Sequence, residues 1–204
     1  MQNLAMHYAI QFKDQQFDYL STTSRKPTLK HQLIYLVDGL VTVRLGKNEY
    51  ALGKGDVFWV PANCLSALSY FPNTHCKVIE ASQRLTQPFA NKAGYVKVSS
   101  LMNILFEKLS HVSDLSEHQQ ILLSAMQYEL LDIQPNLQIT SLSRKLSQWE
   151  TSSKELSIEY QMVMRVKEAE KLRLSGIKES EIAKKLFSGS EPSYQATKRA
   201  ILGE

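Results

Sequence analysis

Catalysis or metal binding in this chain would depend on its cysteine and histidine side chains and on the groups placed near them. Cys64 and Cys76 lie twelve positions apart without a CxxC motif. This spacing indicates neither a zinc site nor a disulfide framework, and we expect reduced, mostly buried thiols. His31 and His75 are single histidines in β-rich sequence, and no Ser/His/Asp pattern or glycine-rich phosphate loop accompanies them. The residues therefore predict a binding protein rather than an enzyme.

The composition is that of an ordinary globular protein, with 22% charged and 43% hydrophobic residues among 204. Asp14 and Asp18 interrupt the first thirty residues, so we expect neither a signal peptide nor a membrane span. We expect a cytoplasmic location.

The charge is distributed unevenly along the chain. Residues 1–140 carry 12 Lys and Arg against 11 Asp and Glu, whereas residues 141–204 carry 12 against 9. The C-terminal positive excess suits a polyanion such as DNA, although a solvated helical surface explains it nearly as well.

The spacing of apolar residues divides the chain into two parts. From about residue 5 to residue 82, short alternating runs between turn residues predict a β-sandwich or small barrel. After Gly94 the period becomes helical, and Ser99 or Ser100 and then Ser116 can cap two helices. A break at residues 134–136 precedes a helical C-terminal part. The runs predicted as strands are residues 32–37, 40–45, 57–60 and 77–81, and the later predicted helices are residues 140–148, 153–175, 180–187 and 192–202.

Two segments of the β-rich part carry a family resemblance. The sequences HQLIYLVDG at residues 31–39 and GKGDVFWVPAN at residues 53–63 resemble the two halves of the cupin motif. The match is to the form found in the sensor domains of AraC-type transcription regulators. Glycine suits the tight turn before Asp56, and Pro61 ends the following strand. The resemblance implies a cupin-like β-barrel that binds an effector.

The same resemblance bears on metal binding. Metal-dependent cupins place three histidines and a glutamate at positions that correspond here to Lys26, Thr28, Gln32 and Ser66, which are not a usual ligand set. We therefore expect no metal and no other cofactor. We expect polar side chains to orient a small-molecule effector in an otherwise apolar cavity, or Trp59 and its neighbours simply to fill the core. The residues predicted to bind the effector are Thr28, Gln32, Trp59 and Ser66.

The C-terminal part resembles the long connecting helix and the second helix-turn-helix of the same regulators. The resemblance rests on Tyr160, Arg165, Ala169, Leu172 and Tyr194, on SEIAKKLF at residues 180–187, and on KRAILG at residues 198–203. The first helix-turn-helix of the family is compressed into residues 139–157. The resemblance implies DNA as a partner and a recognition helix over residues 191–200. The residues predicted to contact DNA are Arg144, Lys145, Ser190, Ser193, Gln195, Ala196 and Arg199.

These observations predict an α+β protein of two parts. Residues 1–115 would form the cupin-like barrel, residues 116–135 a linker helix, and residues 136–204 a shortened, all-α helix-turn-helix segment. The linker helix is apolar on more than one stripe, which predicts a homodimer. The residues predicted to form its contact are Ile121, Leu122, Met126 and Leu130.

The functional hypothesis is a ligand-responsive transcription regulator. One alternative is a protein-binding sensor or antagonist that pairs with a full-length regulator and does not bind DNA itself. A cupin enzyme, the third possibility, would need a metal or an acid–base pair that the sequence does not offer.

Overall fold

The computed structural model describes residues 9–203 and shows two β-sheets followed by a helical part. The strands are β1 (Ile10–Phe17), β2 (Ser21–Thr22), β3 (Lys26–Pro27), β4 (Lys30–Asp38), β5 (Val41–Leu45), β6 (Asn48–Leu52), β7 (Val57–Val60), β8 (Leu65–Tyr70), β9 (Thr74–Ser82) and β10 (Gly94–Tyr95). The helices are α1 (Ser100–Leu109), α2 (Glu117–Glu129), α3 (Ser141–Ser147), α4 (Ile158–Leu174), α5 (Glu179–Leu186) and α6 (Glu191–Leu202).

The strands form an antiparallel sandwich of two sheets. Sheet A has the strand order β1-β9-β4-β7-β10, and sheet B has the order β2-β8-β5-β6 with β3 also paired to β8. Within residues 9–203 no hydrogen-bonded ladder joins the two sheets. The predicted cupin-like barrel is therefore an open sandwich. The strands at the sheet edges do not pair across, since β10 is only two residues long and β6 is covered by a helix.

The central strands of sheet A, β4 and β7, are buried on both of their faces. In β4, Ile34 and Leu36 point between the sheets, whereas Leu33 and Tyr35 point toward α1 and α2. All four residues of β7 are buried for the same reason. In these two strands alternation therefore separates two apolar faces, whereas the edge strand β1 carries exposed residues.

The helix caps predicted at Ser99 and Ser116 are confirmed, and Ser190 caps a further helix. The hydroxyl oxygens of Ser99, Ser116 and Ser190 accept hydrogen bonds from backbone N–H groups in the first turns of α1, α2 and α6. The long helix begins at Ile158 rather than near residue 153, because Ser157 caps it. No helix within the described part of the chain is long and apolar enough to cross a membrane.

The helical part shares a hydrophobic core with sheet B. Buried residues of α4, α5 and α6 pack in one cluster with Leu20, Leu40, Ala51 and Phe71 of the sandwich. The rings of Phe71 and Tyr160 meet edge to face, with their centroids 5.7 Å apart. The two predicted parts are therefore packed against each other, and the division of the chain at residues 115 and 135 stays a prediction.

Candidate effector pocket and nucleic-acid interface

A cavity of about 280 Å³ opens between the two sheets, and we call it the mouth pocket. Its volume is near the lower end of the range for small-molecule sites. Both sheets contribute, through β4 and β9 on one side and β3 and β8 on the other. The lining residues are Thr23, Ser24, Lys26, Pro27, Thr28, Leu29, Lys30, Gln32, Ser66, Leu68 and Glu80.

Three of the four residues predicted to bind an effector line this pocket. Thr28, Gln32 and Ser66 lie together there, although the Thr28 hydroxyl already donates to the Pro61 carbonyl at 2.7 Å. Trp59 does not line it. The strand turns Trp59 to the outer face of sheet A, where its indole N–H donates to the Ala90 carbonyl at 2.8 Å. Trp59 therefore belongs to the core beneath α1 and α2.

A charged cluster that the sequence did not predict borders the mouth pocket, and Glu80 and Lys30 of this cluster line it. The Glu80 carboxylate lies 2.8 Å from Lys13 Nζ and 2.8 Å from Lys30 Nζ, with its side chain 11% exposed. Burial alone would raise the pKa of Glu80, but hydrogen bonds and charges from Lys13 and Lys30 outweigh this and hold that pKa below its usual value. Together with Lys26 at the rim, these groups offer a small polar ligand both donors and acceptors.

The histidines and cysteines are placed as structural residues. His31 stacks on Trp59 at 5.4 Å, and its Nδ1 accepts a hydrogen bond from the Ala62 N–H, while burial lowers the pKa of His31. His75 bonds to Asp14. Both cysteines are free; Cys76 is buried and Cys64 half-buried. Among residues 9–203 no cluster of three or more His, Cys, Asp or Glu side chains could hold a metal ion.

At the C-terminal end, α5 and α6 are joined by a four-residue turn and both pack on α4. Ile182 and Ala183 of α5 and Tyr194 of α6 are fully buried against Val166 and Ala169 of α4. Ala183 is small where the helices approach closely, as the sequence spacing predicts. This packing turns the opposite side of α6 toward solvent.

Four of the predicted DNA contacts lie on the exposed side of α6: Ser193, Gln195, Ala196 and Arg199. The Gln195 amide donates to the Glu179 carboxylate at 2.9 Å, so one side of that amide is already engaged. The Ser190 hydroxyl caps α6. Arg199 is the one cationic side chain among these four predicted contacts.

Helix α3 carries the two remaining predicted DNA contacts but is held against sheet B. The Ser143 hydroxyl accepts from the Ala51 N–H at 3.0 Å, and the Ser147 hydroxyl accepts from the Glu49 N–H at 2.8 Å. β6 is the edge strand of sheet B, so α3 satisfies donors that the edge would otherwise leave unpaired. Arg144 is exposed beside this contact, while the Lys145 ammonium donates to the Glu155 carbonyl at 3.3 Å.

Residues 8–131 match the family model described as the AraC-like ligand binding domain. The chain belongs to this family. The AraC-like domain, as we now call residues 8–131, spans more than half of the chain and includes the whole mouth pocket. The expected ligand-binding domain of the AraC type is thereby confirmed. No match to a curated protein was found.

Solved structures with a similar arrangement include cupins and ToxT. A cupin superfamily protein from Desulfitobacterium hafniense DCB-2 is 18% identical with a TM-score of 0.35, over 39% of this chain and 72% of that one. Two crystal structures of ToxT from Vibrio cholerae, one of them an apo variant, are 9% and 11% identical with TM-scores of 0.44 and 0.39. Each covers 97% of this chain, and 95% and 96% of the ToxT chain.

Within the AraC-like domain, α2 is buried more deeply than its sequence suggested. Leu122 is 9% exposed, and Met126 and Leu130 are completely buried in the core shared with α1 and sheet A. Only Ile121, at 61%, among the four predicted dimer residues, is exposed. The second apolar stripe packs inside the chain, because α1 and sheet A cover different sides of α2. A contact through Leu122, Met126 and Leu130 is therefore corrected to an internal one.

Substitutions on α2 distinguish residues that pack inside the chain from a residue that is free to contact a second copy. Met126→Ala is expected to lower the free energy of unfolding by about 2–5 kcal/mol, because it leaves a cavity in a closed core. Ile121→Glu, on the exposed side, should change it by less than about 0.5 kcal/mol. Urea denaturation measures both values, and size-exclusion chromatography of Ile121→Glu reports on self-association. Equal stability of the two variants would contradict the internal placement of Met126.

Proposed function

We propose that this chain is a ligand-responsive transcription regulator, in which the mouth pocket binds a small effector and α5 with α6 contacts promoter DNA. The observation that carries the proposal is the mouth pocket inside the AraC-like domain, a mainly apolar cavity whose wall also carries a few polar and charged side chains. The proposal assigns the pocket a binding role and no reaction. It also places the protein in the cytoplasm, where DNA is accessible.

The lining of the mouth pocket supports a small effector that has both apolar and polar groups. Ser66 and Gln32 offer a hydroxyl and an amide, and Lys26 offers an ammonium group at the rim. Leu29 and Leu68 provide apolar contact. A few placed polar groups in a cavity of this size are typical of sites that fix the orientation of a small molecule.

The exposed side of α6 supports DNA as the macromolecular partner. A helix that follows a short turn and packs on a longer helix can enter the major groove with its outer residues. Arg199 can contact a guanine or a phosphate there, and Ser193 can donate or accept a hydrogen bond. The positive excess beyond residue 140 would strengthen binding to phosphates.

Selection from random double-stranded DNA with the full-length protein tests this function. We expect an enriched sequence, and we expect the Kd for that DNA to rise steeply with salt, since each neutralised phosphate releases counterions. Fluorescence anisotropy at several salt concentrations measures the slope. Failure to retain any DNA at low salt would reject the DNA-binding part of the proposal.

A second candidate function is supported by one observation. Helix α3, which the family resemblance assigns to the compressed first helix-turn-helix, is fixed along β6. Because α3 is held on β6, only α5 and α6 would be available to contact DNA. The helical part would then bind a full-length regulator rather than DNA. Protein captured by a full-length AraC-type partner in the absence of DNA, together with failure of the DNA selection, would favour this antagonist.

A further inference from the structure

A short segment of chain connects the mouth pocket with the C-terminal end of α6. We call residues 19–26 the connecting segment; it follows β1 and contains β2. At its C-terminal end Thr23, Ser24 and Lys26 line the mouth pocket. At its N-terminal end Tyr19 and Leu20 contact α6, so the pocket and the helix are linked through only a few residues.

The contact with α6 involves backbone groups directly. The Leu20 N–H donates to the Ile201 carbonyl at 2.8 Å, in the last helical turn, where carbonyls have no partner within the helix. Gly203 ends α6 at a φ of +76°, and a Cβ added there would lie 2.7 Å from the Tyr19 ring. The ring therefore packs against the backbone that ends the helix. Leu20 is 8% exposed and belongs to the core shared with α4, α5 and α6.

Between its two ends the connecting segment is paired with β8. Residues 21 and 22 form β2, which lies antiparallel to β8. Thr23 continues the pairing, because its N–H donates to the Leu68 carbonyl at 2.9 Å and its Oγ1 accepts from the Leu68 N–H at 2.8 Å. β8 also carries Ser66 and Leu68 in the pocket wall. A displacement of that wall would therefore move the segment as a unit.

We propose that the connecting segment couples occupancy of the mouth pocket to the position of α6. A ligand that presses on Ser66, Thr23 or Lys26 shifts β8 and the segment together. The shift reaches α6 through the Leu20 hydrogen bond and the Tyr19 ring. This inference rests on the function proposed above, because it takes the mouth pocket as the effector site and α6 as the helix that contacts DNA.

Besides the Phe71–Tyr160 ring contact and the Glu49–Lys167 ion pair, a further contact between the sandwich and the helical part runs through β6 and α3. None of the residues that line the mouth pocket belongs to β5, β6 or α3. A signal on that route would have to cross two strand pairings, from β8 to β5 and from β5 to β6. The connecting segment reaches α6 without an intermediate strand.

Filling the pocket by substitution tests the coupling without an identified ligand. Ser66 is 4% exposed, so Ser66→Phe places a ring in the mouth pocket. In the full-length protein we expect hydrogen exchange at the Leu20 amide and at residues 199–203 to change on the order of tenfold. Lys26→Trp, at the exposed rim, should act in the same direction and serves if Ser66→Phe does not fold. Ser113→Phe, an exposed serine between α1 and α2, is the matched control and should leave α6 unchanged.

A second substitution identifies the route. Tyr19→Ala removes the ring from the end of α6, so in combination with Ser66→Phe it should reduce the exchange change in α6 while leaving that at residues 21–26. Because coupling is reciprocal, Gly203→Ala should in turn alter exchange at Thr23 and in β8. An α6 that does not respond to either pocket substitution overturns the proposal. So does a response that persists in full after Tyr19→Ala.

These measurements use neither effector nor DNA, so they stand apart from the proposed function. Intact coupling in a protein that retains no DNA would reject the transcription regulator and leave the connecting segment as the link between pocket and helix. DNA binding with no coupling would reject the segment alone.

Discussion

Replacing Arg199 with alanine is expected to weaken binding of the selected DNA by about 5- to 150-fold, or roughly 1–3 kcal/mol. Arg199 is exposed on the outer side of α6, opposite the residues that pack on α4. Its guanidinium can make two parallel hydrogen bonds to a guanine, or a charged contact to a phosphate. Anisotropy titrations of the wild-type and variant proteins on the same DNA measure the loss.

Lys178→Ala is the matched control, because Lys178 is also exposed but precedes α5. Lys178→Ala should weaken DNA binding less than Arg199→Ala does. Both variants should keep the wild-type free energy of unfolding within about 0.5 kcal/mol. If Arg199 contacts a base, the loss on the selected sequence should exceed the loss on random DNA. If it contacts a phosphate, the losses should be equal and the salt slope should fall by about 1. A larger effect of Lys178→Ala would contradict the assignment of α6 as the recognition helix.

The strands show what period-two sequence patterns can and cannot predict. Alternation correctly placed Val57–Val60 as a strand, with bounds that agree with β7. It could not decide which of the two faces of that strand lies between the sheets, since both are buried. Trp59 was therefore assigned to the cavity, although Phe58 and Val60 are the residues of β7 that point between the sheets. The same ambiguity does not arise for Gln32 and Ser66, which both reach the mouth pocket.

Glu80 illustrates a signal that was present in the sequence. It occupies an inward position of β9, two residues after Val78, where an apolar side chain would be expected. An ionisable residue at such a position needs a partner, and Lys30 supplies it from the neighbouring strand. The partner itself was not predictable from local sequence, because Lys30 and Glu80 are fifty residues apart.

Contacts between distant segments account for the errors in the helical part. The apolar stripes of α2 were visible in the sequence, but what covers them was not, and α1 with sheet A covers Leu122 and Met126. The serines of α3 give no local sign that they bond to β6, because the partners lie 92 and 98 residues earlier in the chain. Serine at one-turn spacing in a short helix is common, so the pattern alone predicts nothing.

The ion pair between β6 and α4 has the largest expected effect on stability. Glu49 is 8% exposed, and its carboxylate accepts from Lys167 Nζ at 2.7 Å and from the Thr42 hydroxyl at 2.7 Å. The pair joins sheet B to the long helix beside the contacts made by Ser143 and Ser147. Removing one member of a buried pair leaves an uncompensated charge, which costs more than the pair itself contributes.

Lys167→Met is therefore expected to lower the free energy of unfolding by about 3–5 kcal/mol. Lys171→Met breaks the Lys171–Glu168 pair one turn further along α4, where the side chains are 66% and 36% exposed. This change should lower the free energy of unfolding by less than about 1 kcal/mol. Adding Glu49→Gln to Lys167→Met removes the buried charge and should recover most of the loss. Urea denaturation followed by circular dichroism and by tryptophan fluorescence measures all three variants. Because the helical part shares its core with sheet B, both signals should report one transition. Two separate transitions would contradict a pair that holds the two parts together. Equal losses of unfolding free energy for Lys167→Met and Lys171→Met would contradict it as well.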